Sequence, residues 1–152
     1  MVAELADVHA EGDGAATLTG FSPTEFPFRL TSRRMKHVLN SLGRELSVLA
    51  QAGTTNPAHI HPDDLAELGL RDGDLVRITS PHGEIVGVAA AADDVKRCVV
   101  SMSHAWGAAT TTGADVRAEG VATNRLVTND DGYDPITGMA VQSAVPVRLT
   151  GA

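Results

Sequence analysis

The chain has 152 residues, which fits a single domain long enough to bury a core. Its formal charge of −7 argues against a general nucleic-acid binder, because such a protein spreads positive charge over a face. A lone cysteine, Cys98, excludes an internal disulfide and a four-iron cluster held by four thiolates. Without a long apolar run or a signal-peptide pattern, we expect a cytoplasmic domain.

The first part of the chain predicts a lead-in, a strand and a short helix. Residues 1–25 are rich in Gly, Ala and Asp, which predicts a flexible lead-in to one domain over 26–152. The segment FPFRLTS at 26–32 predicts a strand, with Pro27 tolerated at its start. The segment MKHVLNSL predicts one or two helical turns. Its apolar residues stand at helical spacing: Met35, Val38, Leu39 and Leu42.

The most informative segment is NPAHIHPDDLAELGLRDGDLVRI. Pro62 is a preferred first helical residue, and Asp63 and Asp64 suit the positive end of a helix dipole. Gly69 is a typical helix stop, and RDGD predicts a turn. The segment therefore predicts a helix that leads through a turn into a strand.

The remaining elements are predicted to be strands. LVRITS and EIVGVAAAA, joined by PHG, predict a hairpin, in which we expect Leu75 to face the core. CVVSMSHA predicts another strand, and QSAVPVRLT a final one interrupted by Pro146. Several short strands, one clear helix and long polar loops are typical of a β-barrel with helical insertions rather than a doubly wound sheet.

Positive charge is concentrated in RLTSRRMKHVLNS, residues 29–41. Five Lys or Arg and no acid lie between Arg29 and Arg44, whereas the other seven share the chain with nineteen Asp and Glu. A basic patch on an acidic protein is typical of anion binding, and the alternative is a solvated basic face on one helix.

Two polar loops add to the candidate ligand-binding residues: SHAWGAATTTG at 103–113 and TNRLVTNDDGYDP at 123–135. Taken singly, each is typical of a solvated turn. Together with the basic stretch, they suit a polyanionic ligand that also offers ring edges for hydrogen bonds.

No common catalytic motif is present, neither a phosphate loop nor G-x-G-x-x-G after a strand. The HIH stretch at 59–61 would chelate a metal if both imidazoles faced one way, but His61 lies beside a helix start. Cys98 and His104 invite a nucleophile hypothesis. The apolar run around Cys98 instead predicts a buried, inert thiol, so we predict no catalytic and no metal-binding residue.

Three stretches together resemble a known family: NPAHIHPDDLAELGLRDGDLVRITSPHGEIVGVA, VVSMSHAWG and NRLVTNDDGYDP. They are similar to the molybdopterin-dinucleotide-binding domain, the C-terminal domain of molybdenum and tungsten bis-pterin oxidoreductases. This family includes formate dehydrogenases, nitrate reductases and dimethyl sulfoxide reductases. FPFRLTSRRMKHVLNS resembles the family's first segment, so the resemblance covers roughly residues 26–150. NRLVTND leans toward the formate dehydrogenase and assimilatory nitrate reductase side.

The resemblance implies a mainly β fold with short helices, a six-stranded double-psi β-barrel. It also implies that the chain binds molybdopterin guanine dinucleotide, with molybdenum or tungsten held by other domains. The implied cofactor-binding positions are Thr31, Ser32, Arg33, His37, Asn40, Ser41, His104, Trp106, Gly107 and Asn124. The implied partners are the iron–sulfur and catalytic domains of the same oxidoreductase, without nucleic acid or membrane contact. No activity is expected from this chain alone.

The sequence also departs from the family. Many relatives have Gly at the position of Ser32, and an aromatic residue and a lysine where this chain has Gln142 and Ser143. An alternative from another class is a double-psi barrel that serves as a protein-interaction module without a cofactor. A third, a barrel enzyme resembling aspartate decarboxylase, requires cleavage at a Gly-Ser bond, and the chain has no Gly-Ser pair.

Overall fold

The computed structural model describes residues 21–36, 38–40, 42–43, 46–48, 53, 55–104, 106–107, 115–128, 130, 133 and 136–152. Within these ranges the strands are β1 (Phe28–Arg33), β2 (Ala58–Ile60), β3 (Leu75–Thr79), β4 (Glu84–Ala91), β5 (Val99–Ser103) and β6 (Val145–Gly151). The helices are α1 (Pro62–Glu67), α2 (Val116–Glu119) and a 3-10 helix (Thr123–Leu126). No helix in these ranges is long and apolar enough to cross a membrane.

The six strands that the structure describes close into one mixed barrel in the order β1-β5-β2-β4-β3-β6. β1 runs parallel to β5 and β2 parallel to β4, and the other neighbours are antiparallel. The predicted mainly β, six-stranded barrel with short helices is therefore confirmed. The hairpin formed by β3 and β4 is also confirmed, with Ile78 opposite Ile85.

Alternate residues of each strand point into an aliphatic core. On β3 the buried residues are Val76 and Ile78, while Leu75 is only half-buried, so its predicted core position is wrong. The reason is the two-residue period of a strand, in which a shift by one exchanges the two faces. The other buried core residues are Phe28, Leu30, Ala58, Ile60, Leu65, Ile85, Ala89, Val100, Met102, Leu126, Val145, Val147 and Leu149.

Helix α1 follows its local signals. It begins at Pro62, and the Nδ1 atom of the capping His61 accepts a hydrogen bond from the backbone N–H of Asp63 at 3.1 Å. It ends before Gly69, which has φ 69°, a left-handed conformation that favours glycine. The predicted start and stop are both confirmed.

The helical turns predicted over MKHVLNSL are wrong. In the described part of this segment, Leu39 and Leu42 form an antiparallel bridge and exchange backbone hydrogen bonds of 3.2 and 2.9 Å. Their exposed fractions are 65% and 69%. A short helix needs its apolar face packed against the protein, and these side chains have no such packing.

The expected burial of Cys98 is also wrong. Cys98 is exposed and has φ 60° immediately before β5. Its backbone N–H donates to the carboxylate of Asp64 at 2.8 Å. The apolar run therefore enters the core only from the following residues, where Val100 and Met102 are buried.

Candidate functional site

A cleft of about 530 Å³ lies at the ends of β1 and β5 and beside β2. Its lining residues are Arg33, Arg34, Met35, Lys36, Gly53, Thr55, Asn56, Pro57, His59 and Ser103. The parallel pairing of β1 and β5 produces this arrangement, because it brings the last residues of both strands, Arg33 and Ser103, side by side. The cleft therefore combines three permanent cations with hydroxyl, amide and imidazole groups.

The cations of the cleft have few acidic partners. The Arg33 side chain is 38% exposed and lies 3.8 Å from the carboxylate of Asp94, which is a long contact for an ion pair. Arg34 donates to the side-chain oxygen of Asn40 at 3.0 Å. Lys36 makes no ion pair with any residue that the structure describes. Much of this positive charge is available to an external anion.

Arg29 belongs to the same basic stretch but not to the cleft. Its guanidinium donates to the backbone oxygens of Phe26 at 2.7 Å and Phe28 at 3.1 Å. Arg29 therefore fixes the chain at the start of β1. The basic stretch of the sequence divides into one structural cation and a group that faces the cleft.

Asn56 forms the base of the cleft and is 3% exposed. Its amide nitrogen donates to the backbone oxygens of Ser103 at 2.7 Å and Val121 at 2.8 Å, and its oxygen accepts from the Val121 N–H at 2.8 Å. The side chain of Asn56 thus connects the segment before β2 with the end of β5 and with the segment after α2. These hydrogen bonds hold the backbone at Val121 beside the cleft.

Asn40 and His104, predicted site residues from distant parts of the sequence, contact each other. The Asn40 side-chain oxygen, which accepts from Arg34, lies 3.0 Å from His104 Nε2. Because a carbonyl oxygen only accepts, Nε2 carries the hydrogen and His104 Nδ1 is a hydrogen-bond acceptor. That Nδ1 atom is buried and has no hydrogen-bond partner among the described residues. It is therefore a buried acceptor for which the described residues supply no donor.

Ser32 and Asn124 lie in a second, much smaller cleft of about 10 Å³, together with Gln142. The Ser32 hydroxyl donates to the backbone oxygen of Gln142 at 3.1 Å. Since neighbouring side chains of a strand point to opposite faces of the sheet, the side chains of Ser32 and Arg33 lie on different faces. Of the predicted residues, Arg33 lines the larger cleft, and Ser32 and Asn124 line the smaller one.

Trp106 and Gly107 support the loop after β5. Trp106 is 5% exposed, so it offers little surface to a ligand. Gly107 has φ 69°, and a Cβ atom there would lie 2.7 Å from the backbone nitrogen of Ala122. Both residues therefore lie where the chain after β5 packs on the segment after α2, and their contact with a cofactor stays a prediction.

The remaining predicted residues are Thr31, His37 and Ser41. Thr31 is half-buried on β1, with Ser101 of β5 as its neighbour in the sheet. His37 and Ser41 lie outside the described residues.

Asn56 and His59 line the cleft although no sequence pattern predicted them as site residues. Asn56 precedes Pro57 and has the sequence signature of a turn, and His59 was considered only as part of a chelating pair. Burial lowers the pKa of His59, and the nearby positive charge of Arg33 lowers it further, whereas Asp94 and Asp72 act in the opposite direction. No group of three His, Cys, Asp or Glu in the described ranges is arranged to hold a metal ion.

Residues 28–146 match the family model described as "Molydopterin dinucleotide binding domain". In structure, the chain is similar to acetylene hydratase from Pelobacter acetylenicus, with a TM-score of 0.70 and 18% identity over 86% of this chain and 19% of that one. At this identity the structural similarity establishes the fold.

Three curated relatives are similar over part of the chain. Trimethylamine-N-oxide reductase from Haemophilus influenzae is 31% identical over 54% of this chain, and nitrate reductase from Symbiobacterium thermophilum is 35% identical over 43%. The F420-dependent formate dehydrogenase subunit alpha from Methanocaldococcus jannaschii is 32% identical over 51%. The aligned stretches span 10%, 9% and 12% of these relatives, so the similarity concerns a small part of much larger proteins.

Proposed function

This chain belongs to the molybdopterin dinucleotide binding domain family, and we propose that it binds the guanine dinucleotide and pterin part of a molybdenum or tungsten cofactor. In this proposal the chain acts as the C-terminal domain of a larger, cytoplasmic oxidoreductase of the formate dehydrogenase or reductase type. The observation that carries the proposal is the cleft in which Arg33, Arg34 and Lys36 face the same space.

The donor set of the cleft fits a pyrophosphate. Two arginines and a lysine offset the negative charge of two linked phosphates, and a guanidinium binds phosphate oxygens in pairs. Thr55 also lines the cleft, where its hydroxyl suits an anionic oxygen, while the hydroxyl of Ser103 donates to the backbone oxygen of His104. These residues bind and orient the ligand, while the bound cofactor supplies the redox chemistry.

Neutral groups around the cations suit the heterocyclic parts of the ligand. His104 Nδ1 is a buried acceptor that an N–H group of a ring would satisfy. The smaller cleft beside Ser32 and Asn124 is too small for a ring, so it contributes no heterocycle site in this arrangement of the chain.

The proposed partners are the remaining domains of the same oxidoreductase. Large apolar side chains are exposed on the segment that follows the cleft-lining residues: Leu39, Leu42, Leu46 and Val48. Exposed apolar surface of this kind is typical of a face that packs on another protein part. This observation also favours the second candidate, a barrel that mediates protein contacts without a cofactor.

A ligand titration distinguishes the two candidates. The labelled 152-residue chain is titrated with GDP-mannose, whose internal pyrophosphate imitates that of a dinucleotide, and its amide spectrum is recorded. GMP, which has a single phosphate, and ADP-ribose, which has another base, are the matched control ligands. We expect shifts at Arg33–Lys36, Asn40 and His104 that are larger than with GMP and decrease with added salt.

Either negative result is informative. Equal shifts with ADP-ribose would contradict guanine recognition while leaving pyrophosphate binding in place. A folded sample in which neither GDP-mannose nor extracted pterin cofactor shifts these residues would contradict cofactor binding and favour the protein-interaction candidate.

A further inference from the structure

His59 is a titratable group in the cleft that the family resemblance does not assign. It lies in the middle of β2, and its strand neighbours Ala58 and Ile60 are fully buried in the core. Because side chains alternate along a strand, the imidazole points outward, and it lines the cleft together with Arg33. Its place is therefore determined by the strand rather than by a mobile loop.

The surrounding sheet places His59 in a polar row. Ser101 of β5 is the Cα partner of both His59 and Thr31, so the three residues cross β2, β5 and β1 side by side. All three are half-buried. On the other flank, His59 pairs with Ala90 of β4, which is uncharged. A ligand that contacts the cations of β1 would thus have the imidazole within the same cleft.

The charges facing His59 come from several elements. Arg33 on β1 and Arg34 and Lys36 after it contribute positive charge in the cleft. Asp94, after β4, and Asp72, before β3, contribute negative charge, and β5 contributes the uncharged Ser101 and Ser103. Burial and the nearest cation act against protonation of the imidazole, so the empty cleft favours its neutral form.

We propose that His59 is a proton-dependent ligand of this cleft, neutral without an anion and protonated when a pyrophosphate lies beside Arg33, so that binding takes up a proton from solvent. This inference rests on the proposed function. The bound anion neutralises the charge of Arg33 and supplies an acceptor for a second N–H of the imidazole. Both changes favour the imidazolium, and by linkage protonation strengthens binding of the anion.

The ring signal of His59 gives the most direct test. GDP-mannose is a suitable probe because its phosphates are diesters without a proton that titrates near neutral pH. The Cε1–Hε1 resonance of His59 is followed against pH with and without saturating GDP-mannose. We expect the midpoint of this titration to rise on binding. Calorimetry in two buffers of different ionisation enthalpy should show net proton uptake near pH 6.5, the ordinary midpoint of a histidine.

Matched variants separate His59 from other groups. In His59→Asn the proton uptake should disappear, and the gain in affinity on lowering the pH, up to about tenfold per pH unit for a fully linked proton, should be lost. His61→Asn, two residues further along, keeps a side chain able to cap α1 and should retain the uptake.

The outcomes of this test distinguish the inference from the function on which it rests. Binding of GDP-mannose with an unchanged His59 midpoint, or with uptake that persists in His59→Asn, would overturn the inference and leave the proposed function in place. Absence of binding by a folded chain, with GDP-mannose and with extracted pterin cofactor, would overturn both.

Discussion

Arginines serve opposite purposes in two regions of this barrel. Arg97, which lies just before β5, forms ion pairs with the carboxylates of Asp64 and Glu67 in α1. It also lies 3.6 Å from the carboxylate of Asp63. These contacts raise the pKa of Arg97. In the cleft, by contrast, Arg33 has one distant carboxylate partner among the described residues. A cation matched by acids of its own chain stabilises the fold, whereas cations gathered without such acids are suited to an external anion.

The buried members of the two regions differ as well. Asp64 is 1% exposed and its second oxygen accepts from the Cys98 N–H, so the carboxylate is fully bonded. Next to the cleft-lining Ser103, His104 Nδ1 is buried without a partner among the described residues. Complete bonding is typical of a structural network, and incomplete bonding is typical of a site that a ligand completes.

The largest effect is expected for Asn56→Ala, which tests whether the base of the cleft is structural. The substitution removes three hydrogen bonds of a buried side chain and leaves their partners at Ser103 and Val121 unsatisfied. At about 1–3 kcal/mol for each group, we expect a loss of more than about 3 kcal/mol in the free energy of unfolding. Urea denaturation measures it. Asn56→Asp keeps the acceptor for the Val121 N–H but turns a carboxylate oxygen toward the backbone oxygens of Ser103 and Val121, so it should lose at least as much. A clearly smaller loss would show that the two donated hydrogen bonds contribute little.

Arg33→Ala should separate binding from stability. We expect affinity for GDP-mannose to fall by about 1.5–3 kcal/mol, the contribution of a charged hydrogen bond, with the free energy of unfolding nearly unchanged. The ion pair to Asp94 is long and exposed and contributes little.

The matched control is Arg77→Ala, which removes the same charge from an exposed pair with Glu84 on the β3–β4 hairpin. It should leave the affinity unchanged. If Arg33→Ala instead unfolds the chain, the basic cleft is structural and the contrast with Arg97 is lost.

Asp64→Asn should show the reverse pattern. The substitution keeps the size of the side chain but removes the charge that faces Arg97 and weakens the acceptor for the Cys98 N–H. We expect a loss of about 1–3 kcal/mol in the free energy of unfolding, by thermal or urea denaturation, with unchanged affinity for GDP-mannose. A matching loss of affinity in the folded variant would contradict the separation of the two regions.

The smallest effect concerns pH. Because the folded-state pKa of His59 lies below its ordinary value of 6.5, the unfolded chain binds more protons as the pH falls below 6.5. The contribution of His59 to the free energy of unfolding is therefore complete above that value and lost as the pH falls toward the folded-state pKa. His59→Asn should decline less steeply than wild type in urea denaturation across this window. Equal slopes would mean that His59 titrates alike in both states.

Local signals in the sequence were sufficient where they agreed with the tertiary structure. Helix α1 begins at Pro62 and ends before Gly69 as predicted, and PHG lies in the turn between β3 and β4. The same kind of signal failed for Met35–Leu42, where Val38 is buried but Leu39 and Leu42 remain exposed, so the predicted apolar face is not packed as a whole. A pattern of apolar residues stabilises an element only when the fold supplies its other side.

The candidate site was predictable in part. The concentration of cations after β1 is visible in the sequence, and Arg33 does face the cleft. The difference between these cations was not visible in the sequence: Arg29 donates to the backbone oxygens of Phe26 and Phe28, whereas Arg33 lines the cleft. The role of Asn56 was not predicted, because a buried asparagine that bonds several backbone groups and an exposed asparagine in a turn have the same local sequence.

By itself, the sequence determined five of the six described strands, all but β2, together with the ends of α1 and the concentration of cations between Arg29 and Arg44. These depend on neighbouring residues, through capping, strand period and charge. The tertiary structure decided that β1, β5 and β2 lie side by side, which brings Arg33, His59 and Ser103 to one cleft. Barrel closure joins residues far apart in the chain, and local interactions carry no information about which of them will meet.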